Sequence, residues 1–211
     1  MTDPGPAPRA LLFDIGRVIV RVNVERALSI FGERAGLTAG QVWAAIQTDP
    51  RFRDWQEGRI EPREWHQHMS RRFGVSLSFE EFCAAWNSSL DPQTILREDI
   101  FAALAARYRL GLLSNTDALH VGHMEAHFGF MRHFPFRVYS CTAGASKPHP
   151  AIYEHAIVAS GVPPELILYV DDVPEYVEAG RRAGMQALVF ESAEQLLDEF
   201  RRRSILLAST S

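Results

Sequence analysis

Beyond Tyr108 the sequence alternates short apolar runs with helical segments, and this alternation limits the fold more than any other feature of the chain. Residues 110–113, 136–140, 166–170 and 186–190 read as strands, and 117–128, 150–160, 174–183 and 193–203 as the helices between and after them. Continuous apolar runs of this length suit strands covered on both faces, and strands joined by helices imply βαβ crossovers in a parallel sheet. The earlier run Leu11-Leu12-Phe13 stops at Asp14 and belongs to the same sheet. From 23 to 108 the pattern is helical and no strand is expected. Thr38 with Gln41, and Ser78 with Glu81, match the capping box in which two side chains satisfy the free N–H groups of a first turn. Gly36, Gly58 and Gly74 fall where helices would stop, and 37–47 and 61–73 form amphipathic helices rich in Trp and Phe. The expected architecture is an α/β, doubly wound parallel sheet of Rossmann-like type from residues 9–22 and 109–211. An all-helical cap is inserted at 23–108, and its two joins to the sheet are hinge candidates.

A chain of 211 residues is long enough to bury a real core. Its formal net charge of −4 argues against a general nucleic-acid surface, while leaving room for a local basic pocket. Two cysteines, Cys83 and Cys141, are too few for a disulfide framework and read as small buried groups in a reducing compartment. No stretch has the length of a membrane span, and the Pro/Gly-rich residues 1–8 do not resemble a signal peptide. The expectation is a cytoplasmic monomer or homodimer that binds neither membrane nor nucleic acid.

Three apolar strands end on residues suited to phosphate or metal chemistry: Asp14, Ser114-Asn115-Thr116, and Asp171-Asp172. Lys147 lies on a fourth loop, in Ser-Lys-Pro-His-Pro. Taken singly, each has a plainer role as a strand end, a helix cap or a solvated charge. In a doubly wound sheet, however, ligands bind beyond the carboxyl ends of the strands, so all four groups would converge. Three carboxylates that close repel unless a cation lies among them, and hard oxygen donors left partly to water favour Mg²⁺. Lys147, Ser114 and Asn115 would then face an anion on the open side of the metal.

The segments 13–20, 113–116, 147–153 and 170–174, in that order and spacing, resemble the haloacid dehalogenase superfamily in the branch with a helical cap inserted after the first motif. The run Trp55-Gln56-Glu57-Gly58-Arg59-Ile60, the segment from Ser114 to His120 and the Gly after Asp14 look most like the bacterial sugar-phosphate phosphatases typified by glucose-1-phosphate phosphatase. The resemblance implies that Asp14 attacks phosphorus to form an aspartyl-phosphate that water hydrolyses. It implies Mg²⁺ held by Asp14, the Gly16 carbonyl, Asp171 and Asp172, and transferring oxygens bound by Ser114, Asn115 and Lys147. Arg17, just beyond on the same loop, is a candidate substrate contact. The implied partner is a small phosphorylated substrate.

One departure matters. Most phosphatases of this superfamily carry a second Asp, as general acid, where this chain has Gly16. A positioned acid contributes about 10²–10⁴ in rate, so the site would favour easy leaving groups or take a proton from water, Arg17, a cap residue or a histidine such as His120. Two alternatives stand beside the phosphatase. One is a metal-independent 2-haloacid dehalogenase; the other is a catalytically weak binding or scaffold module that has lost turnover with its acid.

Overall fold

The computed structural model describes residues 6–205. Residues 1–5 of the Pro/Gly-rich opening and 206–211 of the expected core span lie outside the described residues. The chain begins with β1 (Ala10–Phe13) and β2 (Val20–Val22), followed by α1 (Val24–Ala35), α2 (Ala39–Gln47), α3 (Pro50–Gln56), α4 (Pro62–Phe73) and α5 (Phe79–Asn87). Next come β3 (Leu90–Thr94), α6 (Glu98–Ala105), β4 (Arg109–Ser114), α7 (Ala118–His127), β5 (Phe136–Tyr139) and the single-turn α8 (Ser140–Ala143). The last elements are α9 (Pro150–Ser160), β6 (Ile167–Asp171), α10 (Pro174–Arg182), β7 (Gln186–Val189) and α11 (Ala193–Arg202).

Strands β5, β4, β1, β6 and β7 lie side by side in that order, each pair parallel. Side chains alternate across the sheet. Leu11 and Phe13 of β1 pack on one face with Leu112, Val170, Phe101 and Phe200; Ala10 and Leu12 pack on the other with Tyr169, Ile152, Tyr153 and Val177. Both faces are covered, which is why these strands read as unbroken apolar runs. Phe13 meets Phe101, Phe134 and Phe200 edge to face at 6.2, 6.0 and 6.4 Å. Replacing it with Ala would cost about 3–5 kcal/mol.

Helices α1 to α5 bury a separate cluster that includes Phe31, Trp55, Trp65, Phe82 and Trp86. The Trp55 and Trp65 rings stack with centroids 5.8 Å apart. Both expected capping boxes form, and Gly36 and Gly74 end α1 and α4 in the left-handed conformation.

The segment after α5 differs from the all-helical expectation. Strand β3 pairs antiparallel with β2, Val20 opposite Thr94 and Val22 opposite Leu90. Its sequence, Leu-Asp-Pro-Gln-Thr, has neither alternation nor β-branched content until its last residue, and a proline is tolerated because the ribbon has an open edge. Helix α6 then places Phe101 and Leu104 in the cluster of the sheet rather than that of α1 to α5. Among the described residues no helix is long and apolar enough to cross a membrane.

Candidate active site

Strand β1 lies between β4 and β6, so their carboxyl ends meet. Phe13 is in register with Leu112 on one side and Val170 on the other. One residue on, the Asp14 N–H donates to the Val170 carbonyl at 2.9 Å, which places its carboxylate beside Asp171 at the end of β6 and Ser114 at the end of β4. Lys147 enters from the loop between α8 and α9. Its ammonium donates to Asp14 Oδ1 at 2.7 Å, Asp171 Oδ2 at 2.6 Å and the Leu113 carbonyl at 3.1 Å. An ammonium has three N–H donors, and here all three meet protein acceptors.

The loop carrying Lys147 is itself clamped. The Asn115 side chain accepts from the Lys147 backbone N–H at 2.7 Å and donates to its carbonyl at 3.0 Å, tying two loops together and leaving the Asn115 backbone N–H for an anion. Tyr169, two residues before Asp171 and thus on the same side of β6, donates its hydroxyl to Asp171 Oδ2. The other Asp171 oxygen accepts the Val173 N–H at 2.8 Å.

Burial pushes the Asp14 carboxyl up to about 6; Lys147 pulls it down, while Asp171 and Asp172 add to the rise. Burial also works to strip the charge from Lys147, but Asp14 and Asp171 outweigh it and raise the ammonium's pKa. Asp172 is raised by burial and by Asp171, with Arg17 opposing. Carboxylate oxygens of Asp14, Asp171 and Asp172 lie within 4.8 Å of one another, against one buried ammonium. Such a cluster is short of positive charge, and its hard oxygen donors fit Mg²⁺.

Next to the strand ends lies a cavity of about 170 Å³, bordered by Gly16, Ser114 and Asn115 and walled by residues of α1, α2, α3 and α5. The helices are held over it by several bonds. Ser140 Oγ donates to the Gln56 carbonyl at 2.7 Å, the Ser146 N–H donates to Glu57 Oε1 at 3.2 Å, and Trp86 Nε1 donates to Asp117 Oδ2 at 2.9 Å. Gly58 has φ 70°, and a Cβ there would lie 2.0 Å from the Cys141 carbonyl, so only glycine allows this approach.

His120 lines the cavity with both ring nitrogens engaged. Nδ1 lies 3.1 Å from Asp117 Oδ2, and Nε2 lies 3.1 Å from both the Trp86 carbonyl and Ser89 Oγ. It is therefore not free to supply the proton that Gly16 cannot. Gly16 also borders the cavity, its backbone open to one side where the nearest atom to an added Cβ is Val22 Cγ2 at 3.4 Å. Arg17 has φ 63° and an exposed side chain, with Nη1 3.9 Å from Asp172 Oδ2. It lines an adjoining surface cleft rather than the cavity. Glu57, Asp117 and Tyr169 carry roles at this site that the sequence did not assign to them, although Glu57 lies in the run 55–60 and Asp117 opens an expected helix. Only Tyr169 had a local signal, its i, i+2 spacing from Asp171.

Residues 62–190 match the family described as haloacid dehalogenase-like hydrolase. The D-ribitol-5-phosphate phosphatase of Bacteroides thetaiotaomicron is 24% identical over 182 residues, covering 83% of this chain and 88% of that protein. A haloacid-dehalogenase-family enzyme of the same organism, solved with magnesium and inorganic phosphate, superposes with a TM-score of 0.82 at 23% identity over 92% of this chain and 100% of its own. A haloacid-dehalogenase-like hydrolase of Porphyromonas gingivalis gives a TM-score of 0.78 at 25% identity, over 93% of this chain and 98% of its own. These relatives do not support the narrower likeness to glucose-1-phosphate phosphatases.

Proposed function

The chain belongs to the haloacid dehalogenase-like hydrolase family, and from that membership and the chemistry of its site we propose that it hydrolyses a small phosphomonoester through an aspartyl-phosphate on Asp14, with Mg²⁺ as cofactor. The observation that carries this reading is the cluster of Asp14, Asp171 and Asp172 oxygens within 4.8 Å, beside a single buried lysine. The curated phosphatase relative and the magnesium and phosphate complex of the structural relative support it.

Asp14, the Gly16 carbonyl, Asp171 and Asp172 would hold the metal. When bound, the ion would screen Asp14 from its anionic target and draw charge from the phosphoryl oxygens. Lys147 keeps Asp14 ionised and fixes its orientation. A carboxylate oxygen of Asp14 attacks phosphorus as the bond to the alcohol oxygen breaks. Ser114 Oγ and the Asn115 N–H bind the transferring oxygens, and Lys147 joins them by releasing one of its protein acceptors. The departing alkoxide takes its proton from water, since Gly16 has no side chain and His120 is engaged. Water then attacks phosphorus, freeing phosphate and restoring Asp14. Helices α1 to α5 act as the cap that excludes bulk water and selects the alcohol.

A dehalogenase gains no support from this arrangement, because three clustered carboxylates repel a haloacid. The test is p-nitrophenyl phosphate hydrolysis, whose leaving group needs little acid help. Turnover that requires Mg²⁺, stops with a chelator and is lost in Asp14→Asn is expected. No Mg²⁺-dependent turnover, with Asp14→Asn equal to the parent, would leave the scaffold reading in its place.

A further inference from the structure

The cavity beside the strand ends has a different character from the carboxylate cluster it adjoins. From the helices it is walled by Leu28, Trp43, Phe52 and Trp86, apolar side chains with aromatic faces. Two charged side chains, Asp117 and His120, also line it, and they occupy each other. Asp117 takes Trp86 Nε1, the backbone N–H groups of Leu119 and His120, and His120 Nδ1, while His120 Nε2 faces Trp86 and Ser89. With both side chains taken up by each other and by their neighbours, this wall offers no free cation. Among the described residues that line it, Ser114 Oγ, the Thr116 hydroxyl, the Gln56 side-chain amide and the Trp43 indole N–H have no hydrogen-bond partner within the protein. The adjoining cleft carries Arg17, Arg21 and Arg26 together with Glu25 and Asp91, a mixed surface whose field does not single out one anionic ester from another.

Resting on the phosphatase reading, we infer that this cavity receives the alcohol part of the ester and selects a compact alcohol with no charge of its own. A carboxylate or second phosphate entering here leaves water without gaining a counter-ion, a cost that apolar walls cannot offset. Extra hydroxyl groups are different: an apolar pocket rejects them weakly, and Gln56 and Thr116 can bond to them. The volume of about 170 Å³ suits an alcohol of about seven non-hydrogen atoms, since a cavity of about 150 Å³ takes benzene.

The test compares phenyl phosphate with 4-carboxyphenyl phosphate, each with Mg²⁺, in the wild type and in Gln56→Lys. The wild type is expected to favour phenyl phosphate by more than about 100-fold in kcat/KM, because an unpaired charge in an apolar pocket costs more than the extra hydroxyl that such pockets reject by about that factor. Gln56→Lys, which puts a cation on the wall, is expected to cut that preference at least about tenfold. Equal kcat/KM for the two esters in the wild type, or an unchanged preference in folded Gln56→Lys, would overturn the inference while leaving the phosphatase reading intact. Hydrolysis of neither ester would overturn both.

Discussion

Glu57 accepts a hydrogen bond at 3.2 Å from the backbone N–H of Ser146, the residue before Lys147. A carboxylate on the helical insertion thus holds the loop that carries the ammonium of the site. Burial would raise the Glu57 carboxyl, but Arg53, Arg59 and Ser146 outweigh it and hold it below the usual range. Closure of the helices and placement of Lys147 are therefore coupled.

Glu57→Ala should destabilise the fold by about 1–3 kcal/mol, the scale of losing a buried acceptor with its partners left behind. It should also lower kcat by about tenfold, a loss of one such contact's worth in the transition state. Glu57→Gln keeps an oxygen for the Ser146 N–H and should recover most of kcat. Denaturant melts and steady-state kinetics of the two variants check this; equal losses of kcat in both would contradict the coupling.

The Trp86, Asp117 and His120 join should be pH-dependent. Burial opposes charge on His120, yet Asp117 outweighs it and raises the ring above its ordinary 6.5; burial raises Asp117, but His120 and Trp86 outweigh it and lower it below 3.8. The His120 contribution to stability is full below 6.5 and is lost as pH rises through the raised folded value. The Asp117 contribution is full above 3.8 and is lost only as pH falls through its lowered value. Melting temperatures of wild type and His120→Asn, from about pH 5 to about pH 9, should therefore converge as pH rises. His123 is lowered by burial, His127 and His120, so removing His120 relieves part of that shift and trims the gap at low pH without reversing its direction. A gap that widens with pH would contradict the charged pair.

Gly16 has room for a Cβ, which would meet Val22 Cγ2 at an ordinary 3.4 Å. Gly16→Asp should fold and restore an acid, raising kcat on alkyl phosphates by up to about 10²–10⁴ while changing p-nitrophenyl phosphate little. An unchanged ratio of the two substrates in a folded variant would show that the missing acid does not limit the rate.

Mg²⁺ should raise the melting temperature, since a ligand bound only to the folded state at 100 times its Kd adds about 2.7 kcal/mol. Asp172 is half-buried, so Asp172→Asn should keep the fold and lose most of that shift. An equal Mg²⁺ shift in wild type and Asp172→Asn, read by scanning calorimetry, would place the ion elsewhere.

The sheet was legible because Leu11 to Phe13, Leu110 to Leu113 and Leu166 to Val170 are apolar without interruption and end on polar residues, a pattern that burial on both faces imposes. Capping at Thr38 and Ser78 was legible because it depends on residues three apart. Strand β3 was not, because Asp91, Pro92 and Gln93 have no strand preference and only pairing with β2 extends them. The direction of Lys147 was half legible. Its loop was placed at the site, but its three bonds to Asp14, Asp171 and Leu113 arise from strand neighbours that lie far apart in the chain. Glu57 and Asp117 acquire their roles in the same way, across the join between helices and sheet.

In the proposed reaction Asp14 carries the phosphoryl group during turnover. Acid quenching the Mg²⁺-loaded enzyme within a single turnover of p-nitrophenyl phosphate, followed by peptide mass spectrometry, tests it directly. The expected result is one phosphoryl group on Asp14 that disappears as phosphate is released and never forms in Asp14→Asn. Full-speed phosphate release with no phosphoryl group on Asp14 at any time, or with the group on another residue, would contradict it.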